Sequence, residues 1–335
     1  MRASSTRKGK AMLRIGLMGA ANIAARAIVQ PARRSGDAVL AAVAARRPGA
    51  AAAYAAQHDV PVSHESYEAL IADPGIDAVY IALPPSDHAE WGIRALEAGK
   101  HVLCEKPLAM NAEEARGMVA VADRCGLMLM EAFHDSYHPV QRHVAQRIED
   151  GALGRITGAE AVFCVSVAWD PANIRFDPAR GGGAMMDLGC YPLHWLRSVF
   201  GSEPEIVEAK AELTELGLDR RVEAVLDFGG VRARMLTDLM DPPYRGLLRI
   251  EGTEGWIEVD NPCLPHKGHS IRESLAGQPD AEFTLAGGTT YDFQLDAFVA
   301  AVRTGVPPLT GGRDAVGNMA ALDAIYRHLG IGRSG

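Results

Sequence analysis

Two short stretches of this 335-residue chain carry side chains that can give and take protons. In GKHVLCEKPLAM, residues 99–110, Glu105 and Lys106 stand against Pro107 at the end of a run that otherwise reads as an apolar strand. In MMDLGCYPLHW, Asp187 and Tyr191 are four apart and His194 follows three later, so on a helix all three project from one face. Pro192 disfavours the α conformation at Tyr191 and predicts a kink or break there. A carboxylate, an ammonium and a phenol are the groups of general acid–base chemistry. A surface ion pair, worth at most about 1 kcal/mol, would account for the two charges at 105 and 106 but not for the proline after them. Pro107 holds Lys106 extended and stops the strand, with either isomer of the Lys-Pro bond open. His194 is a substrate contact at most, packing beside Trp195 being the alternative.

Two halves of different period must position these groups. From residue 12 to 132, nearly unbroken apolar runs alternate with helical stretches, the mark of parallel strands covered by helices on both faces. After about residue 150 come longer strand-like segments separated by Gly, Pro and Asp turns, with helical stretches near their start and at the C-terminal end. The predicted fold is α/β: a doubly wound parallel Rossmann sheet followed by an α+β domain on a large, mostly antiparallel sheet. Residues 1–11 read as a disordered tail, 12–132 as the dinucleotide-binding domain and 133–335 as a domain for substrate binding and oligomerisation. A sheet with helices on one face leaves the other to be covered, which predicts a homodimer or homotetramer.

In an open parallel sheet, ligands bind beyond the carboxyl ends of the strands, where strand order reverses. The first strand runs into GAANIA, residues 19–24, where a dinucleotide fingerprint would read G-x-G-x-x-G or A. Only Gly19 is kept, with Ala21 and Ala24 in the other two places; these are small enough to let the backbone approach a pyrophosphate, and Asn22 and Ile23 open the helix. The second strand ends in Arg46 and Arg47, where an NAD site would offer an acid; guanidinium groups suit a 2′-phosphate and favour NADP, with NAD possible. The segments ALPPSDH (82–88) and CEKP (104–107) deliver Leu83, Pro84, His88, Glu105 and Lys106 to the same crevice. His88 either touches the coenzyme or caps the helix that follows.

Composition narrows the alternatives. A net charge of −8 argues against a nucleic-acid partner, and 48% apolar with 23% charged residues is ordinary globular usage. Five scattered cysteines without a CxxC pair suggest neither a disulfide framework nor a zinc site, and fit a reducing cytoplasm. No signal-peptide core and no run of 18 apolar residues is present, so no membrane role is expected, and no HExxH, nucleophile elbow, P-loop or carboxylate cluster supports metal or acyl-transfer chemistry.

Three blocks carry a resemblance: AGKHVLCEKPLAMNAEEA at 98–115, MEAFHDSYHP at 130–139 and GGGAMMDLGCYPLHW at 181–195. Together they resemble the Gfo/Idh/MocA oxidoreductases, in particular the subgroup of dimeric dihydrodiol dehydrogenases and NADP-linked D-xylose dehydrogenases, over residues 12 to 330. The resemblance implies an NADP-dependent oxidoreductase moving a hydride between nicotinamide and a CH–OH or C=O group of a sugar, cyclic polyol or trans-dihydrodiol. It also implies that Tyr191 and Lys106 face each other across the substrate with Asp187 orienting the group. A lysine ammonium at about 4 Å, in an effective dielectric of about 20, contributes roughly 4 kcal/mol and would lower the Tyr191 pKa by at most about 3 units before desolvation opposes it. Tyr191 then exchanges the proton while Lys106 polarises the oxygen; the alternative makes Lys106 the proton carrier and Tyr191 a hydrogen-bond donor. Trp169, Asn173 and Arg175, in WDPANIRFDP, are expected to border the substrate. Phe133 is read as core packing, with His134 beside it at the strand end. Rival readings are a non-catalytic NAD(P)-binding regulator of the same fold, and a glycosidase or epimerase using transient oxidation.

Overall fold

The computed structural model describes residues 12–240 and 243–332. The tail expected over residues 1–11 lies outside them. Strands β1 (Leu13–Met18), β2 (Ala38–Ala44), β3 (Val62–His64), β4 (Ala78–Ile81), β5 (His101–Cys104) and β6 (Leu129–Glu131) form an all-parallel sheet in the order 3-2-1-4-5-6. The central strands of this sheet are almost wholly apolar because helices cover both faces: every residue of AVYI in β4 is buried, while the edge strand β3 is half exposed. The order reverses between β1 and β4, which puts the crevice at the ends of β1, β2, β4 and β5.

Strands β7 (Ile156–Cys164), β8 (Glu205–Leu213), β9 (Asp219–Asp227), β10 (Arg232–Asp238), β11 (Arg245–Gly252), β12 (Gly255–Asp260), β13 (Ser270–Leu275) and β14 (Ala281–Phe283) form a second sheet in the order 14-13-12-11-7-10-9-8. Its pairs are antiparallel except β7 with β10. Helix Cys190–Phe200 packs on β7 and β10, and helix Arg313–Leu329 on β8, both on one side.

The chain does not leave the first sheet for good at residue 132. Helix Thr290–Thr304 returns to it, and Tyr291, Leu295, Phe298 and Val299 join Leu17, Ile28, Tyr80 and Met130 in one apolar cluster. Beyond it, Thr310 accepts from the Glu131 N–H at 2.8 Å, and Gly311 bridges Met130 at the β6 edge. Linear order alone places this helix with the second half; the apolar side of the parallel sheet recruits it because a parallel sheet needs both faces covered.

Candidate active site

At the end of β1 the backbone turns through Gly19, whose φ is +100°. A Cβ there would lie 2.5 Å from the Ala82 carbonyl oxygen, so only glycine lets the turn close on the end of β4. Ala20 and Ala21 follow, and the continuous helical run Asn22–Ala24, Ala25–Val29 and Gln30–Arg34 starts at Asn22 with no side-chain cap. An uncapped helix start and the small residues around it suit a pyrophosphate. Beside the turn is a cavity of about 570 Å³ lined by Ala20, Arg46, Arg47, Tyr67, Leu83, Pro84, Ser86, Asp87 and Arg180. Arg46 lies 5.4 Å from the Tyr67 ring centroid and pairs with Asp87. A cavity with guanidinium groups and the edge of a buried ring, at the ends of β2 and β4, fits the adenosine end of a dinucleotide.

At the other end of the crevice, β5 runs out into Glu105 and Lys106, and the Lys106–Pro107 peptide is cis. Glu105 accepts from the Tyr80 hydroxyl, which rises from the β4 interior. Lys106 points across to the second half. Its Nζ donates to the Asp187 main-chain carbonyl at 2.6 Å and meets the Asp187 carboxylate at 3.3 Å. Asp187 sits in a π-helical turn, Met185–Gly189, that runs directly into helix Cys190–Phe200. Of the kink or break expected at Pro192, the chain shows no break, and the irregularity is a π turn just before the proline. The wider π turn absorbs the proline: Pro192 has no N–H to give to the carbonyl five residues back, and that carbonyl, of Asp187, is the one Lys106 takes. Arg175 Nε holds the other Asp187 oxygen at 2.6 Å.

Tyr191 comes to the same place from the helix. The Lys106 ammonium lies 5.1 Å from its ring centroid, and its hydroxyl is 3.3 Å from His134 Nε2. Burial pushes the phenol well above its ordinary pKa and holds His134 well below the ordinary histidine value. The expected lowering of the Tyr191 pKa by Lys106 is thus corrected, because the ammonium lies over the ring face and the phenol is desolvated. For Lys106 burial is the largest influence and acts to lower the pKa, but Asp187 together with Cys190 and Glu105 outweighs it and leaves the value above that of a free lysine. For Asp187 burial acts to raise the pKa, and Lys106 with Arg175 outweigh it to hold the carboxylate below its usual range. The resting site is a cation–anion–cation set beside a neutral phenol and a neutral imidazole.

Two expected contacts are corrected by the structure. His194 is turned away: its ring stacks on Phe133 at 4.4 Å, and its Nε2 meets Asp314 at 3.0 Å, inside a network with Arg197. His88 is wholly buried, with Nδ1 3.0 Å from the Pro107 carbonyl and Nε2 2.8 Å from the Leu83 carbonyl, so it ties two strand-end loops together from beneath rather than touching a ligand. Trp169 is 45% exposed and packs on Phe176 with centroids 4.6 Å apart; the Asn173 side chain caps the Arg175 N–H at 3.1 Å. Within that loop Arg175 alone is brought to Asp187.

Known proteins resemble this chain along most of its length. A family profile described as "Oxidoreductase family, NAD-binding Rossmann fold" matches residues 13–133, and one described as "GFO/IDH/MocA C-terminal domain" matches 141–258. The NADP(+)-dependent D-xylose 1-dehydrogenase 2 of Haloferax volcanii is 32% identical, over 93% of this chain and 95% of its own. The chain belongs to the Gfo/Idh/MocA oxidoreductase family. The trans-1,2-dihydrobenzene-1,2-diol dehydrogenase of Homo sapiens is 33% identical over 79% of this chain and 81% of its own. A 3-ketoreductase from Actinomadura kijaniata, solved with NADP and TDP-benzene, superposes with a TM-score of 0.87 at 28% identity, covering 95% of this chain and 98% of that one.

This Gfo/Idh/MocA member is an NAD(P)-dependent oxidoreductase, and its site holds groups the sequence reading passed over. Tyr80 lay inside an apolar strand run, Tyr67 on an unremarkable short helix, and Tyr291 in the first turn of the helix that returns to the first sheet. Arg26, one turn into the first helix, lies near Glu105 and Tyr291. A phenol one residue from the end of a strand that feeds the crevice is the signal that would have found Tyr80. No helix among the described residues is long and apolar enough to cross a membrane.

Proposed function

We propose that this chain transfers hydride between NADP(H) and a CH–OH/C=O group of a sugar, cyclic polyol or trans-dihydrodiol, with Lys106 and Tyr191 holding the substrate oxygen between them. The observation that carries the reading is that Lys106, from the first half, and Asp187 and Tyr191, from the second, converge within one contact of each other beyond the end of β5. The nicotinamide, when bound, gives or takes the hydride. Lys106, kept charged by Asp187, supplies a proton to the carbonyl oxygen in the reducing direction. Tyr191, kept protonated by burial, donates a hydrogen bond to that oxygen. Arg175 neutralises the far side of Asp187 and fixes its carboxylate. This is the second of the two sequence-derived assignments, with lysine as proton carrier.

The relatives support the substrate class: their names describe a sugar dehydrogenase and a dihydrodiol dehydrogenase, and the ketoreductase has also been solved with one lysine and, separately, one tyrosine replaced. Arg46 and Arg47 in the adenosine cavity support NADP. We infer a reducing, cytoplasmic setting, in which five free thiols are at ease, and a homo-oligomer formed across the uncovered face of the second sheet.

The test follows absorbance of the reduced nicotinamide against aldoses, inositols and trans-dihydrodiols with each coenzyme. A turnover on one of these classes, falling about 10²-fold or more in Lys106→Met and in Tyr191→Phe, is expected. Wild-type rates in both variants would remove the assignment, and coenzyme binding without turnover on any of the three classes would remove the reaction.

A further inference from the structure

The wall of the adenosine cavity has one contributor from the second half of the chain. Arg180 lines it together with Arg46, Arg47, Ser86 and Asp87. Three guanidinium groups face one carboxylate there, in a protein whose net charge is −8, so the cavity is a cationic site on an acidic molecule. Arg46 is already spent on Asp87 and on the Tyr67 ring. Among the described residues the guanidinium groups of Arg47 and Arg180 have no such partner.

Arg180 is held there by its backbone. It ends a short turn, Pro178–Arg180, whose N–H at Ala179 is capped by the Asp177 side chain at 3.0 Å. Gly181 follows with φ +82°, and a Cβ on it would lie 2.7 Å from Pro85 and 3.0 Å from the Met110 sulfur. The missing side chain lets the loop sit directly on the first turn of helix Pro85–Glu97, the turn that carries Ser86 and Asp87. Gly182 and Gly183 then donate back to Asp177 and Arg175 at 2.9 Å each, closing the loop. The same loop delivers Arg175 to Asp187 at the other end of the crevice.

We propose that Arg180 is a coenzyme-binding residue that takes the 2′-phosphate of NADP(H) jointly with Arg47, so that coenzyme preference is set partly from outside the Rossmann half. The proposal rests on the NADP reading above. A dianionic phosphate monoester offers oxygens to two guanidinium groups at once, and each charge-assisted contact is stronger than a neutral one. Capture of the phosphate also braces the loop whose Arg175 holds the Asp187 carboxylate, linking an occupied adenosine end to an assembled proton site.

The experiment titrates NADPH and NADH into the whole protein and its Arg180→Gln, Arg180→Lys and Arg47→Gln variants, with 2′,5′-ADP and AMP as competitors. Arg180 is exposed, so unliganded melting temperatures should match the parent and exclude misfolding as a cause. Expected are an approximately tenfold or larger loss of NADPH and 2′,5′-ADP affinity in Arg180→Gln, with NADH and AMP within about twofold of the parent and partial recovery in Arg180→Lys. Equal losses for both coenzymes would move Arg180 to the shared pyrophosphate and overturn the proposal, as would no loss at all. If the parent prefers NADPH and Arg47→Gln abolishes that preference while Arg180→Gln does not, this proposal alone fails. A parent that binds NADH as tightly as NADPH removes the NADP reading and the proposal with it.

Discussion

Lys106 carries its proton tightly because Asp187 is 3.3 Å away, while burial alone would loosen it. A lysine of raised pKa is a ready proton donor at neutral pH and a poor acceptor. The reducing direction should therefore keep its rate from about pH 6 to pH 9, and the oxidising direction should climb with pH across that window. Asp187→Asn removes the charge that most opposes burial and leaves Glu105 as the carboxylate still near Lys106, so the oxidation profile should move to lower pH and the reduction rate at about pH 9 should fall roughly tenfold. Paired pH–rate profiles decide it: a variant that loses rate equally at every pH would make Asp187 a structural residue only. Asp135 is a second residue with a pH signature. Its wholly buried carboxyl accepts from Trp195 Nε1 at 2.6 Å, and burial raises its pKa to about 6. The folded state thus binds that proton more tightly than the unfolded chain, a contribution complete below about pH 4 and lost as pH rises through about 6, amounting to roughly 2–3 kcal/mol. Asp135→Asn should unfold at higher urea than the parent at about pH 7.5, with the gap closing towards pH 4. A gap that stays constant with pH would sink this assignment. Residue identities were readable in the sequence here, but the sign of the Tyr191 shift was not, because distance to Lys106 says nothing about which face of the ring the ammonium covers or how dry the phenol is.

Two strand-end loops must stay in register for Lys106 to reach across, and one buried ring joins them. His88 lies between the carbonyls of Leu83, on the coenzyme side, and Pro107, next to the lysine. Burial holds its pKa below the ordinary histidine value, so at neutral pH it is uncharged and has a single N–H to donate, whichever loop its tautomer selects. The Leu108 N–H is anchored in turn by Glu131 at 2.8 Å. His88→Ala should cost about 2–4 kcal/mol through the cavity and the lost hydrogen bond, and should weaken coenzyme binding as the loops drift. Urea unfolding and coenzyme titration read the two effects separately. Lost stability with unchanged coenzyme affinity would show that the loops do not need the tie. At this scale the sequence was most informative where one rule dominated: β2 and β4 are apolar on both faces, and β1 and β5 are so beyond Arg14 and His101 at their starts, which reads as buried parallel strands. It left kink and break open at Pro192, since a local rule about proline cannot see the π turn before it, and misled at helix Thr290–Thr304, since an amphipathic helix does not say which sheet it will cover.

The second sheet is helix-covered on one side, and its other face follows a pattern set by strand register. One line across it reads Arg272, Glu258, Arg249, Glu160, Arg234, alternating in charge from strand to strand, with Arg249 and Arg272 both paired to Glu258. The neighbouring line reads Asp260, Leu247, Val162, Leu236, Glu223, so an apolar strip of three residues lies at the middle of the face between charged margins. A charged rim satisfied within its own sheet around a small apolar centre suits a flat interface with another such face more than it suits bare solvent. A second copy would bring like lines together about a twofold axis, each apolar strip against the other. Leu236→Arg places a charge in that centre without touching the helix-covered core, so it should convert an oligomer into folded monomers with an unchanged circular dichroism spectrum and coenzyme affinity within about twofold of the parent. Light scattering at micromolar concentration gives the masses of both proteins. A parent that is already monomeric, or a variant that keeps the parent's mass, would show that this face meets water and that the ion-paired line serves only to keep the sheet edge-on and soluble.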